Sequence, residues 1–421
     1  MKRLLLFLIW ILFVSNFVFA WSVWHILKGG KRIEKNTADI IINLAKIPSE
    51  FFHEFLVFTG ISPIPLIYIN NEDNFNSKHL SGYLLVSSIN KDNKLAEIQL
   101  VDLSKQKTVQ TWQPEISKLG SERISKSNLR YIHPILYKKD VITLTEGNLY
   151  RFNANSGIIW QLNGAFHHSI ELDSDNSIWV CGTIKSTEKG DAPKSNPIKE
   201  NIFNDAIFKI DPIVGKVVFK KSIYDILISN GYKGLLFGTG PINEDIIHIN
   251  DIQPALQTTK YWQKGDLLIS LRHLSTILLY RPSTNKVIWL KTGPWNFQHD
   301  CDFVGDHKIG IFGNDVVDFN GQSYLLNGHN NQYIFDFTTD QVSTPYTKMF
   351  QKGKIKTLTE GRSRILPDGQ LFVEETNYGR ILFGDTTGVK GIYVNRLDKE
   401  HIGALGWSRY YTTEEYNLIN K

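Results

Sequence analysis

Cysteine is all but missing from this chain: its 421 residues contain two, Cys181 and Cys301, far apart and outside any Cys-x-x-Cys or Cys/His spacing. That excludes a disulfide framework and offers no zinc-ligand pattern. A single bridge would need the two Cβ atoms within about 4.5 Å, which sequence separation does not decide, and two buried thiols serve equally well. A dominant charge is missing too, because 47 basic side chains against 42 acidic ones leave a net charge of +5. The basic residues are scattered rather than gathered on one arm or face, so the footprint of a nucleic-acid partner is absent. What the chain does have is aromatic and apolar bulk, 12% and 42% of residues, enough for a large core of strands.

Long apolar runs are confined to one place. Leu4 to Leu27 is broken only by Ser15, Asn16, Ser22 and His25 and is flanked by Lys2, Arg3, Lys28, Lys31 and Arg32. Such a run is long enough to cross about 30 Å of hydrocarbon. Val18-Phe19-Ala20 also resembles a signal cleavage site, but Trp21, Val23 and Trp24 carry the apolar character past it. Residues 1–28 are therefore expected to form a transmembrane anchor, with the rest of the chain on the extracytoplasmic, periplasmic side. In residues 29–80, Ile40, Leu44, Ile47, Phe51 and Phe55 recur at spacings of three and four, predicting a short amphipathic helix that Pro48 kinks.

From about Ser81 to the end, residues 81–421, helical periodicity gives way to short alternating runs divided by turn residues. One unit runs from Gly265 through Arg272, Ser275 to Tyr280, the turn Pro282 to Asn285, and Lys286 to Leu290. Another runs from Val141 to Leu162 around the turn Ala154 to Gly157. Comparable turns fall at Asp102 to Gln106, Asp211 to Gly215, Thr338 to Gln341 and Asp368-Gly369. About six such units, each too small to bury its own faces, predict an all-β, six-bladed β-propeller. A β-sandwich or a pair of β domains is the alternative. Trp407 to Tyr411, or the segment before Ser81, is expected to close the ring, and Lys185 to Asn201 reads as a surface loop.

Four apolar segments each deliver histidine at a strand edge: Phe166-His-His-Ser-Ile-Glu171, Ile246-Ile-His-Ile-Asn250, Leu271-Arg-His273 and Trp295-Asn-Phe-Gln-His-Asp300. A propeller brings its inner strands to one channel, so these can converge, and histidines gathered around an arginine suit an oxyanion. His25, His53, His79, His133 and His401 lack that setting and read as structural. His307 and His329 fall in turns and are expected to be exposed.

Asp245-Ile-Ile-His-Ile-Asn-Asp251, then Gly265-Asp-Leu-Leu-Ile-Ser-Leu-Arg272, Val287-Ile-Trp289 and Gln298-His-Asp300 resemble, in order and phrasing, the arylsulfate sulfotransferase family. The paired-histidine segment from His167 matches as well, and the similarity spans roughly Asn148 to Leu397. Such enzymes pass a sulfuryl group from an aryl sulfate to a phenolic acceptor through a sulfated histidine, without a nucleotide donor, metal or organic cofactor. The resemblance implies His299 as nucleophile, Arg272 as the sulfuryl-binding arginine, and His248 and His168 in support. His167 and Asn250 take substrate-side places. The rival reading is a non-catalytic, membrane-anchored propeller binding a glycan, peptide or protein. A quinone-dependent dehydrogenase ranks last, since its repeated tryptophan motifs and metal-binding acids are not evident.

Overall fold

The computed structural model describes residues 80–90, 95–115, 130–184, 202–238, 244–319, 322–396 and 401–419, with 18, 19, 21, 67, 68, 93 and 119 as isolated positions. The chain divides into two compact units, Met1–Pro63 and Ile64–Lys421. Of the first, only Val18, Phe19 and Trp21 are described, all helical. The rest of the expected anchor, the amphipathic helix and the 185–201 loop lie outside the described residues. Among the described residues no helix is long and apolar enough to cross a membrane.

The second unit is a six-bladed β-propeller. Six four-stranded antiparallel sheets follow one another along the chain. Their innermost strands are Arg409–Tyr411, Ile132–Tyr137, Phe166–Leu172, Ile249–Pro254, Asp300–Val304 and Arg362–Ile365, for blades 1 to 6. Blade 1 takes its inner strand from the C-terminus: Tyr83, Leu84 and Leu85 pair with Tyr411, Tyr410 and Arg409. The ring is thus closed by hydrogen bonds between the two ends of the domain, and of the two closures expected it is the C-terminal one, around Trp407 to Tyr411, that pairs with the first described strand of blade 1.

Side-chain alternation explains why the blades stack. Successive strand residues face opposite sides, so Leu84 and Val86 pack against Phe372, Ile381 and Phe383 of blade 6, while Leu85 joins Leu136, Val141 and Tyr150 of blade 2. Separate apolar cores fill the remaining interfaces, including that of blades 2 and 3 around Ile170 and Val180 and that of blades 4 and 5 around Leu268 and Ile309. Cys181 lies in the core between blades 3 and 4, Cys301 in the core between blades 4 and 5, and both are free buried thiols.

Polar side chains tie each inner strand to the preceding blade. Ile170 N–H donates to His133 Nδ1 at 2.6 Å, Ile249 N–H to Asp205 at 2.9 Å, Cys301 N–H to Asp251 at 3.0 Å, and Ser363 N–H to Asp300 at 2.9 Å. Arg409 forks onto the buried Glu171 at 2.7 and 2.9 Å, fastening the closing strand to blade 3.

Five of the six turns between third and fourth strands share one device. An Asx side chain accepts backbone N–H groups just downstream: Asp102 from Lys105, Asn153 from Asn155 and Gly157, Asp211 from Ile213, Asp336 from Thr338, and Asp385 from Thr387. Asp368-Gly369, read from sequence as the sixth of these turns, instead joins the first and second strands of blade 6. Blade 6 carries its own copy at Asp385, where Gly388 rather than an Asp-Gly pair ends the turn. Helices fill longer connections: Ile223–Ser229, capped by Ser222 and buried through Ile223, Ile226 and Leu227, and Thr347–Gly353, buried through Met349 and Phe350. His307 and His329 are half-buried rather than exposed, held by Asp306 and by the Asn330 carbonyl.

Candidate active site

At one mouth of the channel every blade holds a non-glycine residue with left-handed φ at or just before its inner strand: Trp407 61°, His133 50°, His168 58°, His248 51°, Phe297 48° and Glu360 59°. Each costs on the order of 1–3 kcal/mol and persists only where packing over-determines it. Bulges accompany the strain. His168 and Ser169 stand unpaired between the His167–Cys181 and Ile170–Val180 pairs, and Asn250 between the Ile249–Leu271 and Asp251–Ser270 pairs. A bulge re-aims side chains, and here it turns histidines toward one another.

The result is a cluster drawn from four sequence segments. The His168 ring lies 4.9 Å from His167, 5.1 Å from His248 and 6.2 Å from His299, centroid to centroid. The His273 ring lies 4.5 Å from His248. Trp407, wholly buried, packs its indole 5.9 Å from His168 and 6.1 Å from His299. Arg272 is placed by the backbone: its N–H extends the ladder to the His248 carbonyl at 3.0 Å, and the next N–H, of His273, reaches the Ile247 carbonyl at 3.1 Å. The guanidinium stacks on Phe297, 4.5 Å from the ring centroid. Asn250 is fully buried, its amide 3.5 Å from the Gln298 carbonyl and its Oδ1 without a partner.

Hydrogen bonds set the tautomers. His299, 2% exposed, meets Asn314 Oδ1 through Nδ1 at 2.7 Å, and its Nε2 accepts the Glu360 N–H at 3.0 Å, so Nδ1 carries the proton. Asn314 is held in turn by donating to the Glu360 carbonyl at 2.8 Å. His248 Nδ1 meets the Asp245 carboxylate at 2.5 Å, which leaves Nε2 as its other face. His273 Nδ1 donates to the Asp245 backbone carbonyl at 2.6 Å, so its Nε2 accepts from Arg272 at 2.7 Å. His167 and His168 share one hydrogen bond, Nδ1 to Nδ1, at 2.7 Å.

Electrostatics favour neutral rings at His299, His168 and His167. Burial, then the Arg272 charge, pushes the His299 pKa well below the usual imidazole range. Burial and the neighbouring His167, His248 and His299 do the same to His168, and burial with His248 takes His167 down to about 4. Burial pushes Asp245 upward, but the His248 hydrogen bond and the His248 and His273 charges hold its carboxyl below its ordinary value. His133, at the position equivalent to His168, is not part of this group: both its nitrogens are taken, by Ile170 N–H and by Arg362 and Arg409.

The profile of the family described as arylsulfotransferase (ASST) matches residues 134–390. The chain belongs to the arylsulfotransferase family. The matched span contains His167, His168, His248, Asn250, Arg272 and His299. No curated protein matches the chain. Among solved structures it is similar to a protein of unknown function from Bacteroides caccae, 11% identical over 78% of this chain and 98% of that one, with a TM-score of 0.49. It is also similar to the Neurospora crassa Pan2 WD40 domain (12% identity, 76% and 86% covered, TM-score 0.40) and to Kuenenia stuttgartiensis hydrazine synthase (12%, 76% and 80%, 0.40). Likenesses this distant add nothing to the assignment.

The sequence singled out these residues but not their neighbours. Asp245 lay inside the quoted motif, three residues before His248, and could have been assigned. Asn314 and Glu360 reach His299 from connections 15 and 61 residues away and carry no local signal. One group of side chains, Asp245, His248 and His273, also brings donor atoms within 4.8 Å of one another, close enough for a metal ion.

Proposed function

We propose that this arylsulfotransferase moves a sulfuryl group from an aryl sulfate to a phenol through a sulfated His299. The convergence of His168, His248, Arg272 and His299 at one channel mouth carries this reading. In the first half-reaction His299 Nε2 attacks sulfur, the sulfur–oxygen bond to the aryl group breaks, and the leaving oxygen takes the Nε2 proton of His248, which enters as the imidazolium paired with the Asp245 carboxylate and leaves neutral. In the second, the acceptor phenol returns that proton to His248 as its oxygen attacks sulfur, and the nitrogen–sulfur bond breaks. Arg272 faces charge spread over three sulfuryl oxygens, where a planar fork is worth most. The Glu360 N–H now on His299 Nε2 must give way before attack and is then free to meet a sulfuryl oxygen.

Two features support the nucleophile. The Asn314 bond leaves the Nε2 lone pair as the reactive one, and burial beside Arg272 keeps the ring unprotonated. A single observation favours the binding-only reading: His299 is buried with both nitrogens engaged. Incubation with a chromogenic aryl sulfate, with and without added phenol, separates the two. Phenol-dependent release of the chromophore supports transfer, and none from a folded, pure chain removes it. We further place the propeller outside the cytoplasm, held by the apolar run Leu4 to Leu27.

A further inference from the structure

Around Asp245 the donors are arranged for more than one hydrogen bond. Its Oδ2 faces two imidazoles by the same atom, His248 Nδ1 at 2.5 Å and His273 Nδ1 at 3.7 Å. The three side chains are 23–27% exposed, so the spot is reachable from solvent. Donors around an ion bound at about 2.0–2.2 Å stand roughly 3.0–3.5 Å apart. All three atoms already lie within 4.8 Å of one another, so shifts of about 1 Å or less would complete the set. Two imidazoles and one carboxylate suit Zn²⁺, Co²⁺, Ni²⁺ or Fe²⁺ and are poor ligands for Mg²⁺ or Ca²⁺, which take oxygen.

We propose that Asp245, His248 and His273 bind one divalent transition-metal ion, and that its binding opposes sulfuryl transfer by dislodging Arg272. The binding half stands on the geometry alone; the opposition rests on the sulfuryl-transfer reading. A neutral imidazole carries one ring proton, so a metal on His273 Nδ1 puts that proton on Nε2. That nitrogen now accepts the Arg272 N–H at 2.7 Å. With both partners donors, the contact turns repulsive and the guanidinium must leave the position its stacking on Phe297 defines. The same metal takes His248 Nδ1 from Asp245, leaving Nε2 protonated and unable to accept the phenol proton. By linkage, an oxyanion held by Arg272 weakens the metal equally.

The test uses the full chain, stripped with EDTA and titrated with Co²⁺ in the absence of any sulfate ester. One Co²⁺ per chain with visible d–d absorption is expected. Asp245→Asn and His273→Gln should each weaken it at least as much as the about 10- to 100-fold that loss of an outer-shell partner costs. His248→Gln serves where either variant fails to fold. Asp306→Asn, at the surface His307 pair, should leave binding unchanged. Absence of one-to-one binding, or binding indifferent to all three ligand variants, overturns the site. Zn²⁺ should inhibit transfer, with EDTA restoring it and excess aryl sulfate protecting. Binding without inhibition overturns the opposition alone, and a chain inactive under all conditions still leaves the Co²⁺ result to decide the site.

Discussion

Imidazole attacks sulfur only when unprotonated, and burial beside Arg272 keeps His299 in that form well below the usual histidine range. A base whose pKa is depressed loses activity only as pH falls through the depressed value. The rate with an activated donor should therefore hold from pH 7.5 to below 6; a decline centred near 6.5 would assign the nucleophile to a solvent-like histidine. Arg272→Ala should lower kcat by about 10² to 10³, because its contacts strengthen as charge spreads onto the sulfuryl oxygens. Asn314→Leu should lower kcat with little change in KM, since it frees the His299 ring to rotate without touching substrate. The histidines were legible because each sits in its own apolar run, where a polar ring needs a reason. Asn314, Glu360 and Trp407 were not, because a buried asparagine, a loop carboxylate and a core tryptophan look alike in sequence whatever they touch. Left-handed φ at His168, His248 and Phe297 is also silent in the letters, since glycine, its usual marker, is absent there.

At the scale of elements, the C-terminal strand matters more than its three residues suggest. Arg409–Tyr411 completes blade 1, and Arg409 neutralises Glu171 inside the channel. Arg409→Leu takes both close hydrogen bonds from a buried carboxylate, leaving it Arg362 at 3.9 Å, and should destabilise by up to about 3–5 kcal/mol, measured by urea denaturation; an unchanged midpoint would show the pair to be dispensable. Asp251 offers a pH test with a definite sign. Burial and the Glu171 charge push its pKa from 3.8 up to about 7. The folded state then holds more protons than the unfolded one between those values, so stability is lost as pH rises through them. Asp251→Asn keeps an acceptor for the Cys301 N–H and removes the penalty. Its Tm relative to the parent should rise from pH 4 to pH 8, and a flat difference would rule out a protonated Asp251. Strand-turn units were readable because Asx turns recur at fixed offsets. The misplacement of Asp368-Gly369 shows the limit: a strong hairpin signal says that two strands meet, not which two.

The whole molecule is a ring whose site belongs to no single blade. His168 comes from blade 3, His248 and Arg272 from blade 4, His299 from blade 5, Glu360 from the approach to blade 6 and Trp407 from the closing strand's approach. Because no strand of the six sheets begins before Tyr83 among the described residues and the second compact unit begins at Ile64, a chain starting at Ile64 should fold with an unchanged melting profile. Loss of cooperative melting in that variant would tie the ring to the preceding residues. Sulfation of one histidine reports the entire arrangement, since attack, charge stabilisation and proton transfer need all these blades in register. The direct measurement is mass spectrometry of the chain quenched with excess aryl sulfate. An added sulfuryl group on the peptide containing Gln298, His299 and Asp300, absent in His299→Ala together with transfer, is the predicted result; a His299→Ala chain that transfers at the parental rate would contradict the account.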